Sequence, residues 1–280
     1  MKIIRTQKSY ATSDGAGVNI KRIAGFDGNS LDPYLMIDEL KSDDESDYMA
    51  GFPPHPHRGI ETFTYIRKGG FEHQDQMGNK KAIRSGDVQW MSTGRGVVHS
   101  EMPLADDSNG MHGFQIWLNM PAKEKMRPPR YQDSTESGVP TLANDQQATL
   151  LALAGSWRMN NGQHVDGAIM GLAGEGAIAD VILPPNSAML LDVSTHEKVL
   201  IYIHSGSLYE TEFGAGSLLE VAPSEALTLR AGTQGLGALV LAGQPIGEQI
   251  AHMGPFVMNT QQQLREAVRD YQLGRFGDIV

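Results

Sequence analysis

The chain has 280 residues, 40% hydrophobic and 20% charged, which is enough for two domains and typical of a folded globular protein rather than a disordered one. Its net charge of −10 argues against broad binding to nucleic acid, and the absence of cysteine excludes disulfides, thiolate metal sites and a cysteine nucleophile. No apolar run approaches the roughly 20 residues of a membrane span, and residues 1–8 lack the apolar core of a signal peptide, so a cytoplasmic protein without a membrane partner is expected.

Residues 1–50 read as short strands and loops. An apolar run at 31–40 is flanked by acids, and a polar acidic loop follows at 41–47; these acids read as solvated surface. From His57 the pattern is β-like. The segment 62–66 is rich in β-branched and aromatic residues and ends at Gly69-Gly70. Further strands are expected at 82–83, 88–91 and 114–118, separated by turn residues at 77–80, 85–87 and 94–96. The polar stretch 121–140, with Pro128-Pro129, reads as a linker. Two domains are expected, residues 1–130 and 131–280. The second half repeats the texture, with strands at 179–183 and 199–203.

Sliding the chain on itself supports a duplication. Tyr65 to Gly69 falls on Tyr202 to Gly206, and Ser85 to Gly94 falls near Pro223 to Gly232. The chain ends in a predicted helix. Thr260 and Gln263 have capping-box spacing, Leu264, Val268 and Tyr271 share one face, and Gly274 stops the run. Many short strands with Gly and Pro turns, doubled and followed by one helix, predict an all-β fold of two tandem barrels.

Two residue pairs carry the chemistry. Strand side chains alternate, so His55 and His57 share a face, as do His99 and Glu101. Facing each other across a small barrel, they would bring three imidazoles and a carboxylate to one point. That donor set suits iron, copper, nickel, manganese or zinc, and on an octahedral ion it leaves two positions open. In the second copy, Asp192, Ser194, Gly237 and Leu239 stand beneath these four residues, so the second barrel is expected to lack the site. His73 and His112 read as structural or exposed, and Arg58 and Arg95 as arginines paired with nearby acids. Gln89, Trp90 and Gln115 are candidates for the surrounding pocket. His164, His196, His204 and His252 read as structural residues of the second half.

Gly51, His55, His57, Glu61 and Gly69 resemble the first cupin motif, and Gly86-Asp87, Gly94 and His99 the second. The blocks 51–62, 86–91, 94–103 and 254–259 more specifically resemble the pirin family. That resemblance implies a bicupin of two jelly-roll barrels with Fe(II) in the first and no metal in the second. It implies His55, His57, His99 and Glu101 as ligands, with Glu101 rather than Glu61 as the carboxylate; Cu, Mn, Ni and Zn are the alternative ions. It further implies quercetin 2,3-dioxygenase activity: a flavonol and O2 as substrates, opening of the central ring and release of carbon monoxide. Glu101 is then the candidate base for the substrate hydroxyl. The alternative the family implies is a non-enzymatic, iron-dependent redox-sensing partner of a transcription factor or other protein. An open apolar pocket over the metal would favour catalysis, and a closed site the binding role. A monomer is expected.

Overall fold

A computed structural model describes residues 1–26, 30–105 and 110–279. The chain divides into two compact units, one of residues Tyr10–Glu136 and Ile246–Val280, the other of Met1–Ser9 and Ser137–Pro245. This differs from the expected 1–130 and 131–280. The first nine residues join the later unit, because the strand Ile3–Lys8 pairs antiparallel with Ser217–Val221. The helix joins the earlier one: Phe256, Leu264, Ala267 and Phe276 bury their apolar surface in a cluster with Val98.

In the Tyr10–Glu136 unit, a seven-stranded sheet runs in the order Arg130–Asp133, Val88–Ser92, Ile60–Lys68, Met111–Asn119, Tyr34–Ser42, Val18–Ala24, Tyr10–Asp14. A four-stranded sheet runs Phe52–His57, Val97–Pro103, Gly70–Asp75, Lys80–Arg84. These antiparallel sheets form the jelly-roll barrel of the cupin fold. The strands expected at 62–66, 88–91 and 114–118 are all present and longer than the sequence pattern suggested. Residues Pro53, Pro54 and Pro56 lie in Phe52–His57, an edge strand whose one partner among the described residues is Val97–Pro103. An edge is where proline is tolerated, because one side of the strand donates to no neighbour.

The other unit is built on a ten-stranded sheet system that includes the long strand Ala226–Gly243. Its interior is filled by a continuous aliphatic cluster, with Val199, Ile201 and Ile203 from one strand and Ala238, Val240 and Ala242 from its neighbour. Trp157 is buried in that cluster, and its indole N–H donates to the Ala154 carbonyl.

The helix Gln261–Gln272 starts as predicted: Thr260 accepts from the Gln263 amide, and the Gln263 side chain accepts from the Thr260 amide. Leu264 and Ala267 are buried and Val268 is partly so, whereas Tyr271 is 39% exposed. The apolar face is therefore narrower than the sequence pattern suggested. No helix among the described residues is long and apolar enough to cross a membrane.

Candidate metal centre

His55 and His57 meet His99, but not across the barrel. They lie on adjacent antiparallel strands of the four-stranded sheet, with His99 opposite His55 and Val97 opposite His57 in the register. A shift follows between His99 and Glu101, which sets Glu101 opposite Phe52. The ring centroids of His55 and His99 are 4.3 Å apart, those of His55 and His57 4.8 Å, and those of His57 and His99 5.0 Å. His55, His57 and His99 can each offer a nitrogen within 4.8 Å of the others. Glu101 falls in a second such group, with His99 and His73.

Hydrogen bonds fix which nitrogens are free. His55 Nδ1 donates to the Pro53 carbonyl at 2.8 Å, and His57 Nδ1 to the Pro255 carbonyl at 3.3 Å. Each ring is thereby held with Nε2 as the basic nitrogen, the arrangement of a metal-bound imidazole. His99 is fully buried, and neither of its ring nitrogens has a hydrogen-bond partner. An unpaired buried polar atom costs about 1–3 kcal/mol, and an ion held at this ring would remove that cost. Burial, and then the neighbouring His55, push the His57 pKa well below its ordinary value; burial and the surrounding histidines do the same to His99. Both are therefore neutral, as ligation requires. The donor set fits a divalent metal ion.

The two glutamates differ in what surrounds them. Glu61 is fully buried, accepts from the Trp90 indole at 3.1 Å and pairs with Arg127 at 3.2 Å. Glu101 Oε1 accepts from Thr64 Oγ1 and from Gln89 Nε2, both at 3.0 Å. Trp90 thus supports Glu61, while Gln89 supports Glu101.

His73, which read as structural or exposed, is fully buried; its Nε2 lies 3.0 Å from Asp75, and its ring stacks on Tyr131 at 4.8 Å. Spacing alone gave no sign of it; it comes near Glu101 because Gly70–Asp75 pairs with Val97–Pro103. His112 is buried against Glu39. Asp38 and Glu39 are likewise buried, so the acids at this end of the 31–40 run are not solvated surface. Their strand is central in its sheet, which a count of flanking charges could not reveal. Arg58 pairs with Asp270 at 3.0 Å, as expected of an arginine near an acid, and its guanidinium covers the Phe276 ring. The Arg95 side chain is exposed.

A cavity of about 620 Å³ opens beside this cluster, with His55, His57 and Glu101 in its lining. Its walls include Phe26, Phe114 and Trp117. Phe26 stacks on His252 with centroids 3.6 Å apart and planes 6° from parallel. His252 therefore lines this cavity, and it does so because Ala251–Met253 belongs to the unit that carries the histidine cluster. The Trp117 ring stands edge-on to His57 at 4.9 Å.

Residues 17–118 match the family model Pirin, and residues 178–277 match the model Pirin C-terminal cupin domain. The chain belongs to the pirin family. A relative from Vibrio cholerae, which bears the provisional name of a quercetin 2,3-dioxygenase, is 43% identical to this pirin over 277 residues, covering 98% of this chain and 97% of its own. The crystal structure of a quercetin 2,3-dioxygenase from Acinetobacter baumannii matches with a TM-score of 0.88 at 28% identity, covering 100% of this pirin and 99% of that chain. A bacterial pirin from Escherichia coli, solved in complex with nickel(II), matches with a TM-score of 0.60 at 20% identity, covering 86% and 99%. At that identity the likeness speaks for the fold alone.

Proposed function

We propose that this pirin is a metal-dependent dioxygenase that opens the central ring of flavonols of the quercetin type, with Fe(II) held by His55, His57, His99 and Glu101. The observation that carries this reading is the cavity of about 620 Å³ with the histidine cluster in its lining and aromatic walls. Its size is that of a small-molecule site, and His55, His57 and Glu101 stand at one end of it. The relatives named for quercetin dioxygenation support the choice of substrate.

When bound, the ion supplies Lewis acidity, which lowers the pKa of a coordinated hydroxyl, and a redox-active centre for dioxygen. The protein supplies the rest. Phe26, Phe114 and Trp117 give a flat aromatic substrate an apolar surface and exclude water from it. Glu101, steadied at Oε1 by Thr64 and Gln89, is the candidate acceptor of the substrate hydroxyl proton. The alternative role, a redox-sensing partner of another protein, calls for a closed site, and the open cavity weighs against it.

The test is oxygen uptake and carbon monoxide release with quercetin. Chelation should abolish both, and Fe(II), but not Zn(II), should restore them. Equal turnover by the metal-free protein would overturn the reading.

A further inference from the structure

One strand row crosses the barrel wall with polar side chains only. The register sets Arg22 opposite Asp38, Asp38 opposite Gln115, Gln115 opposite Thr64, and Thr64 opposite Gln89. Arg22, Asp38, Gln115 and Thr64 line the cavity, and Thr64 and Gln89 end on the Glu101 carboxylate. At the far end, Arg22 grips Asp38 through two hydrogen bonds, Nε to Oδ1 at 3.0 Å and Nη2 to Oδ2 at 2.9 Å, and also reaches Asp14 at 2.9 Å. Strands in a sheet lie about 4.8 Å apart, so Asp38, two strands from Thr64, stands on the order of 10 Å along the wall from it.

Stability alone does not account for a charged pair in an aromatic-walled cavity. Asp38 is buried and Arg22 partly so, and an ion pair so placed contributes little net stability. Each Asp38 oxygen uses one lone pair on Arg22 and keeps another for a ligand. The Thr64 hydroxyl lies 3.0 Å from Glu101 Oε1 and 2.6 Å from Gln115 Oε1, yet it has one proton to give. That proton goes to one of the two, and the contacts link Gln115, Thr64 and Glu101 along the row.

We infer that Asp38, held in place by Arg22, anchors a phenolic hydroxyl of the substrate at the end of the cavity away from the metal, and so selects polyhydroxylated over unsubstituted aromatic ligands. The inference rests on the flavonol reading above for its ligand class. A site built to bond a hydroxyl rejects the analogue that lacks it, because its own polar group is then left unpaired.

The test compares quercetin with 3-hydroxyflavone, which keeps the hydroxy-ketone and lacks the other four hydroxyls. Two readouts are taken: kcat/KM on the Fe(II)-loaded protein, and Kd on the Zn(II)-loaded protein from quenching of tryptophan fluorescence. In the native protein both should favour quercetin by about tenfold or more, and in the double variant Arg22→Met with Asp38→Leu the preference should fall to within about twofold. The double substitution leaves no unpaired buried charge. An unchanged preference in the variant overturns the inference, as does a native preference near unity, which can be read even if the variant does not fold. Absence of turnover with a retained difference in Kd would overturn the dioxygenase reading and leave the anchor standing.

Discussion

His99 stands directly opposite His55 on the neighbouring strand, their ring centroids 4.3 Å apart. The cluster is thus a product of strand register rather than of two walls meeting across a barrel. A slip of one residue would turn every side chain of one strand to the other face and dissolve it. Sheet pairing and the histidine cluster are for this reason tied together.

Glu61 and Glu101 make the first distinction. Glu61 is engaged by Trp90 and Arg127, whereas Glu101 shares a donor group with His99. Glu61→Gln should keep the bound metal and lower stability by about 1–3 kcal/mol, as expected when a buried network loses a charged partner. Glu101→Gln should weaken metal binding. Metal content and a denaturation midpoint on each variant check both statements, and metal loss in Glu61→Gln with retention in Glu101→Gln would reverse the assignment.

The terminal segment supports the cluster from outside. Pro255 holds His57, and Asp270 holds Arg58, the next residue. Gly59 has φ +80°, and a Cβ there would lie 2.1 Å from the Val257 carbonyl, so the terminal segment runs too close for any side chain. Asp270→Asn loosens Arg58 beside His57 and should weaken metal binding by less than the roughly 10-fold seen when a ligand's own outer partner is lost, about threefold. Titration of metal into the chelated variant measures this; an unchanged affinity would show that the segment serves stability alone.

Lys125 gives a pH prediction. Its Nζ donates to the Gly59 and Val257 carbonyls and to Asn119 Oδ1, at 2.7, 3.0 and 2.8 Å. Burial pushes its pKa down to about 7, against the pull of Glu248 and Asp32. Below pH 7 both the folded and unfolded chains carry the proton. Between about 7 and 10.5 the unfolded chain binds more protons than the folded one, so stability should rise with pH across that window. From pH 7 to 9 the gain should be about 2 kcal/mol, and Lys125→Met should lack it. Denaturation of both proteins across this range is the check, and parallel pH profiles would refute it.

The pairing of His55 with His57 on one face was legible because they are two residues apart in a strand, a spacing that carries its meaning locally. The helix cap was legible for the same reason, since Thr260 and Gln263 are three residues apart. What the sequence hid depends on pairing between distant strands. His73 reaches Glu101 through strand register. Asp38 read as surface because its partner Arg22 is sixteen positions away, on another strand. His252 read as part of the second half because chain order placed it there, yet it stacks on Phe26. The domain ends were misplaced on the same account: the partners of Ile3–Lys8 lie more than two hundred residues downstream.

The most direct test of the central claim is the metal content of freshly purified native protein beside His99→Ala. With three histidines and Glu101 as the ligands, the native chain should carry about one iron per molecule and the variant on the order of one-tenth of that or less. A His99→Ala protein that retains its full complement of metal would contradict the assignment.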